Sequence, residues 1–210
     1  MIDLESFEKN KKQAAIILET LNALLTGMLK QEASISFVNR VDDQILDRMI
    51  ELEKEIFSVE DNVYSKEDIL ESLAEEYSFL ILLKINGEIQ GYVFGYDDDP
   101  EDPNIEGTDY FLDSALVSLK YEQKGIGTML SGVVLLLLYL LGFDKIGITT
   151  EEKDKTGREL VKFYNKLGFM EARTRGSREE GEVGMKIILT PELINNIGKK
   201  LNLPDLGEII

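Results

Sequence analysis

The chain has 210 residues, 43% of them hydrophobic and 30% charged, with a formal net charge of −17 and neither cysteine nor histidine. That length suits one domain with a full core, and the acidity opposes phosphodiester backbones and anionic lipid, so neither nucleic acid nor membrane is expected as a partner, whereas a cationic acceptor is steered favourably. Without thiols or imidazoles there are no disulfides, Cys/His zinc sites or Ser-His-Asp arrangements, and acid–base work falls to Asp, Glu, Tyr or Lys.

The opening run MIDLESFEKNKK has no basic region followed by an apolar core, which predicts a cytoplasmic protein without a signal peptide. From Leu4 to Met28, Leu4, Phe7, Ala14, Leu18, Leu21, Leu25 and Met28 alternate three- and four-residue spacings, broken only by Lys11. This predicts a long amphipathic helix that packs on its own sheet or on a second copy, making a homodimer one expected role. A short strand, SISFV, follows at 34–38, and then two helices, one capped by Asp42 or Asp43 and one by Ser65 with Asp68 at the capping-box position. In SFLILLKINGEIQGYVFGY, two apolar runs flank Asn86-Gly87, the chemistry of a tight hairpin turn. The acidic stretch Asp97 to Asp102 reads as a solvated connection, and no metal is placed there.

A strand, DYFLDSALVSL, leads to the turn YEQKGIGTML and an apolar run, Val133 to Phe143, which is too short for a membrane span of about 20 residues and reads as a buried helix. After it come a strand at KIGITT, a helix through GRELVKFYNKLG, two strands around RGSREEGE, and an ending read as a short helix with an extended tail. An antiparallel meander joined to one β-helix-β crossover predicts an α/β (α+β) fold with a mixed, mostly antiparallel sheet of about six to seven strands flanked by helices. The expected organisation is an extra N-terminal helix at 1–33, a domain at 34–190 and a C-terminal extension at 191–210.

A strand feeding a glycine turn and then a helix can bind an anion, because the first turn's N–H groups have no partner and carry the positive end of the helix dipole. On spacing alone, a flexible turn and a dinucleotide fingerprint compete with that reading. The fingerprint fits badly, since Leu130 occupies the third glycine position and an antiparallel hairpin lies upstream.

ALVSLKYEQKGIGTML resembles the coenzyme A pyrophosphate loop of the GNAT superfamily of N-acetyltransferases, written R/Q-x-x-G-x-G/A, and FYNKLGF resembles the stretch after that family's next crossover helix. With INGEIQGYVFG, the match covers roughly residues 35–189. The resemblance implies acetyl-CoA as cosubstrate, no metal, and acetyl transfer to a primary amine of a small molecule or protein. It also implies that Leu116 and Val117 pair with the pantetheine arm, and that Gln123, Lys124, Gly125, Ile126, Gly127 and Thr128 present N–H groups to the pyrophosphate. Two positions depart from the pattern. Glu122 replaces the usual Arg or Gln, so Lys120 or Lys124 is expected to supply the compensating charge, and Gly157 stands where many members have Asn.

Tyr164 matches the tyrosine that serves many members as general acid on the thioester sulfur; its plain alternative is aromatic packing beside Phe163. Glu151 and Glu152 lie near the family's carboxylate base, Asp113 is a second candidate, and each has a solvated-surface alternative. Arg173, Arg175 and Arg178 form the one basic cluster, read as a turn balanced by Glu179, Glu180 and Glu182 or as a fork for an acceptor anion. Two further readings are a non-catalytic acyl-CoA-binding or interaction module with the same fold, and a Rossmann-type nucleotide binder.

Overall fold

The fold comes from a computed structural model that describes residues 3–57, 63–99, 101–121, 124–174 and 182–201. Among the described residues six α-helices, α1 (Leu4–Leu29), α2 (Asp43–Ile56), α3 (Lys66–Ala74), α4 (Ile126–Leu141), α5 (Leu160–Leu167) and α6 (Pro191–Lys200), accompany seven strands. The strands are β1 (Ala33–Phe37), β2 (Phe79–Ile85), β3 (Glu88–Asp97), β4 (Tyr110–Val117), β5 (Lys145–Glu151), β6 (Met170–Glu171) and β7 (Glu182–Ile188). They form one mixed sheet in the order β1-β2-β3-β4-β5-β7-β6, in which only β4 and β5 run parallel. This is the expected architecture, and its antiparallel pairing removes the doubly wound Rossmann alternative.

Local chemistry set the element ends as anticipated. Asp42 caps α2, and Ser65 and Asp68 form a reciprocal capping box on α3. Asn86 and Gly87 take φ of 53° and 80°, the left-handed turn that joins β2 to β3. One expectation fails: the acidic connection is not all solvated. Asp98 is buried, accepting hydrogen bonds from the Asn104 N–H at 2.8 Å and the Thr108 hydroxyl at 2.6 Å, so its carboxylate ties the loop together from inside.

Alternation along β2 separates two cores: Phe79, Ile81, Leu83 and Ile85 face α1, α4 and α6, whereas Leu80 and Leu82 face α2 and α3. Helix α4 is apolar nearly all round because the sheet covers one side and added helices cover others. Its neighbour α1 buries Phe7, Ala14, Leu18, Leu21 and Leu25 in the same core. It also blunts the edge of the sheet: the Asn22 side chain accepts from the Ile35 N–H at 2.6 Å, and Thr26 bonds both the N–H and the carbonyl of Ala33. The N-terminal helix thus covers its own sheet. Among the described residues no helix is long and apolar enough to cross a membrane.

Candidate active site

The parallel pair β4–β5 is short. It holds only from Tyr110–Leu112 against Ile146–Ile148; beyond that point β4 pairs with β3 alone and β5 with β7 alone. A bulge marks the parting. The β3–β4 register jumps from Phe94↔Ser114 to Gly95↔Leu112, leaving Asp113 unpaired, and Gly95 permits the close approach there, since a Cβ on it would lie 2.4 Å from the Phe111 carbonyl. The strands therefore splay into a cleft of about 250 Å³, with unpaired backbone on the facing edges.

The N-terminus of α4 opens onto that cleft. Helices α1, α2, α3 and α6 are capped by the side chains of Asp3, Asp42, Ser65 and Thr190, whereas α4 starts from Gly125 at φ 76° with no side-chain cap. Its first intrahelical bond runs from the Met129 N–H to the Gly125 carbonyl, which leaves the N–H groups of Ile126, Gly127 and Thr128 without helical acceptors. Side chains added at the glycines would fill the space an anion needs: a Cβ at Gly125 meets nothing within 4 Å, and one at Gly127 meets only Phe163 Cζ at 3.8 Å. The Lys120 and Lys124 ammonium groups lie 5.4 and 4.8 Å from the Tyr121 ring centre, holding two cations beside this turn. Of the predicted phosphate-binding residues, Gly125, Gly127 and Thr128 line the cleft together with Leu116 and Val117; Lys124 and Ile126 belong to the turn without lining it. Glu122 and Gln123 lie outside the described residues.

Tyr164 of α5 enters from the opposite wall. It packs edge-on against Phe163 and Phe169, at 5.2 and 5.5 Å between ring centres, and lines the cleft with Thr150, Ser114 and Leu160. Burial pushes its phenol up to about 12, against a smaller opposing effect of Arg158, so the hydroxyl is protonated across the neutral range. The loop before α5 is organised by Asp154, whose Oδ1 accepts from the N–H groups of Thr156 and Arg158, both at 2.9 Å, and whose Oδ2 lies 3.0 Å from Arg158 Nε. Gly157 sits in this turn at φ 81°, a conformation that Asn also tolerates, which accounts for a glycine at the position.

The carboxylates sort differently from the sequence expectation. Glu151 is buried at the end of β5 and Glu152 is exposed, its carbonyl accepting the Leu160 N–H at 3.0 Å; neither lines the cleft. Asp113 does, at the bulge, where it accepts from the Tyr64 and Ser72 hydroxyls, the latter at 2.8 Å. Burial raises its pKa above the ordinary carboxylate range, with those two hydrogen bonds opposing.

Behind it lies a carboxylate that sequence reasoning missed. Glu53 of α2 is wholly buried; Oε1 accepts from Tyr92 Oη at 2.5 Å and Ser114 Oγ at 3.3 Å, and Oε2 from the Tyr64 N–H at 2.7 Å. A signal existed, because Glu53 falls on the buried stripe Leu46, Met49, Ile56, where a solvated glutamate does not belong. Burial pushes Glu53 up to about 7, against those hydrogen bonds, with the charge of Asp113 adding to the rise.

A raised carboxylate pKa means that the folded chain binds more protons than the unfolded one, so stability falls as pH climbs through the window. For Glu53 that window runs from 4.5 to about 7 and corresponds to roughly 3 kcal/mol. Burial shifts Asp113 and Asp109 in the same direction. Urea unfolding is therefore expected to show a more stable protein at pH 5 than at pH 8, and Glu53→Gln should remove much of the difference. Stability that rises over this interval would refute the assignment.

Of the basic cluster, Arg173 is exposed, its carbonyl accepting the Glu106 N–H at 2.9 Å, while Arg175 and Arg178 lie outside the described residues.

Comparison with known proteins follows the same lines. Residues 46–169 match the model of the acetyltransferase (GNAT) family. Solved structures of similar fold include the ribosomal-protein-S18-alanine N-acetyltransferase from Escherichia coli, at 16% identity over 75% of this chain and 94% of that one, with a TM-score of 0.54. A GNAT family acetyltransferase from Elizabethkingia anophelis with acetyl-CoA bound is 21% identical over 75% and 98% of the two chains, with a TM-score of 0.52. The PaiA N-acetyltransferase from Thermoplasma acidophilum in complex with coenzyme A is 16% identical over 74% and 99%, with a TM-score of 0.52. A search of curated proteins finds no match.

Proposed function

This chain belongs to the acetyltransferase (GNAT) family, and from that membership we propose that it transfers the acetyl group of acetyl-CoA to a primary amine of a small molecule or protein. The observation that carries the reading is the splay of β4 from β5 opening onto the uncapped first turn of α4, with Tyr164 in the same cleft. A pyrophosphate fits the Gly125–Thr128 turn, where N–H groups, the helix dipole and two lysines favour negative charge. A pantetheine arm fits the cleft, where the free edge of β4 at Leu116 and Val117 supplies amide partners.

Bound acetyl-CoA supplies an activated acyl carbon and a thiolate leaving group. The side chains handle the protons. Asp113, in the cleft with a raised pKa, takes one from the acceptor amine directly or through a water, and the Tyr164 hydroxyl gives one to the departing sulfur. Glu151 and Glu152 are the less favoured bases because they do not reach this space. The excess of acid over the whole chain suits a cationic acceptor.

The test is acetyl-CoA consumption, read as free thiol, against a panel of diamines, aminoglycosides and peptides with free amino termini, with the product confirmed by a mass gain of one acetyl group. At least one amine should be acetylated. If CoA binds but every amine is refused, the chain is a non-catalytic acyl-CoA module and the catalytic reading is lost.

A further inference from the structure

An amine that enters as its ammonium ion, the form an acidic chain attracts, loses two protons before it becomes an amide. The first frees the lone pair that attacks the thioester carbon, and the second leaves the nitrogen once the C–N bond has formed. Breaking the C–S bond then returns one proton to the sulfur through Tyr164, and the other goes to solvent. Asp113 holds one proton at a time, and its carboxylate already accepts from the Tyr64 and Ser72 hydroxyls. A second acceptor beside it takes the other proton without waiting for exchange with solvent.

Glu53 is wholly buried, yet it is joined to the cleft at one point: Ser114 lines the cleft, and its hydroxyl lies 3.3 Å from Glu53 Oε1. Ser114 follows Asp113 on β4, so adjacent residues of one strand address two carboxylates. Tyr64 ties the same pair from behind, giving its backbone N–H to Glu53 Oε2 at 2.7 Å and its hydroxyl to Asp113. The other groups facing Glu53 are the Tyr92 hydroxyl of β3, at 2.5 Å, and Asp113 itself, while Asp68 of α3 acts on Asp113 and Tyr96 of β3 on Tyr64. None of these is a cation that would hold Glu53 permanently ionised, and burial raises the Tyr64 and Tyr92 phenols, which keeps both as donors. Burial also lifts Glu53 to about 7, where a carboxyl exchanges protons at neutral pH.

Building on the acetyl-transfer reading above, we propose that Glu53 is the second proton acceptor of the reaction, acting through Ser114: the serine hydroxyl passes its proton to Glu53 Oε1 and takes one from the acceptor nitrogen or from a water beside it. Asp113 takes the other. Of the two protons, one returns through the cleft to the Tyr164 phenolate left when the sulfur is protonated, and one is released to solvent, so each turnover restores all the groups involved.

The experiment is single-turnover transfer to the best amine between about pH 5.5 and pH 8 by the parent, Glu53→Gln and Ser114→Ala, with a urea melt to confirm that each is folded. Glutamine can keep the network, its carbonyl accepting the Tyr64 N–H while the Tyr92 and Ser114 hydroxyls turn to accept from its amide; Ser114→Ala leaves Glu53 its other two donors. Both variants should transfer about tenfold or more slowly than the parent at pH 8, and converge on it near pH 5.5, where Glu53 is already protonated. A loss of the same size at every pH, as a structural role predicts, or parental rates throughout, would overturn the relay while the acetyl-transfer reading stands. Ser114→Ala decides the question by itself if Glu53→Gln does not fold. If the parent acetylates no amine, that reading fails and the relay falls with it.

Discussion

Gly127→Val is expected to weaken CoA binding by about a hundredfold or more while leaving the fold intact. Gly127 has no left-handed backbone to strain, its added Cβ meets only Phe163 Cζ at 3.8 Å, and valine is a better helix residue than glycine. Gly127 lines the cleft, so a valine there is expected to crowd the space where the pyrophosphate must approach the N–H groups of Ile126, Gly127 and Thr128. Losing two charge-assisted hydrogen bonds at roughly 1.5 kcal/mol or more each accounts for the factor. Gly125→Val is a poorer probe, because φ of 76° penalises any side chain and mixes strain with blocking. Calorimetry with CoA, alongside a urea melt, checks both halves; a variant of parental stability that binds CoA as tightly as the parent would remove the phosphate role from this turn.

Tyr164→Phe should lower kcat by roughly 10²-fold, the scale of losing a general acid, with little change in acetyl-CoA affinity or stability. The ring contacts to Phe163 and Phe169 survive the change, and the hydroxyl makes no hydrogen bond to a described residue that its removal would break. The phenol is pushed up to about 12, so the parent should keep its acid form through neutral pH and show no alkaline loss of transfer from this group until well above it. Single-turnover transfer to the best amine isolates chemistry from product release. Parental rates in the variant would leave Tyr164 a packing residue.

Much of the local structure was legible in one dimension. The uncapped glycine start of α4, the capping box at Ser65 and Asp68 and the Asn86-Gly87 turn are each closed by groups within a few residues, so residue type and spacing suffice to foresee them. The stripe of α1 and the all-round apolarity of α4 announced burial, although not what each helix would lie against.

Register and packing decided the remainder. That Asp113 enters the cleft while Glu151 and Glu152 do not follows from a bulge that parts β4 from β5, and nothing local to any of those acids announces it. Glu53 draws its donors from residues 11, 39 and 61 positions away, and Asp98 is enclosed by a loop that reads as solvent-facing. A groove beside α4 exists only because α1, from before the segment that matches the family, and α6, from after it, meet over the same helix. Composition and periodicity, set by each segment's own backbone, determined which elements form and which faces seek burial. Which distant side chains share one desolvated space depends on strand order, register and helix docking, where the free energy belongs to the whole core and to no single stretch of chain.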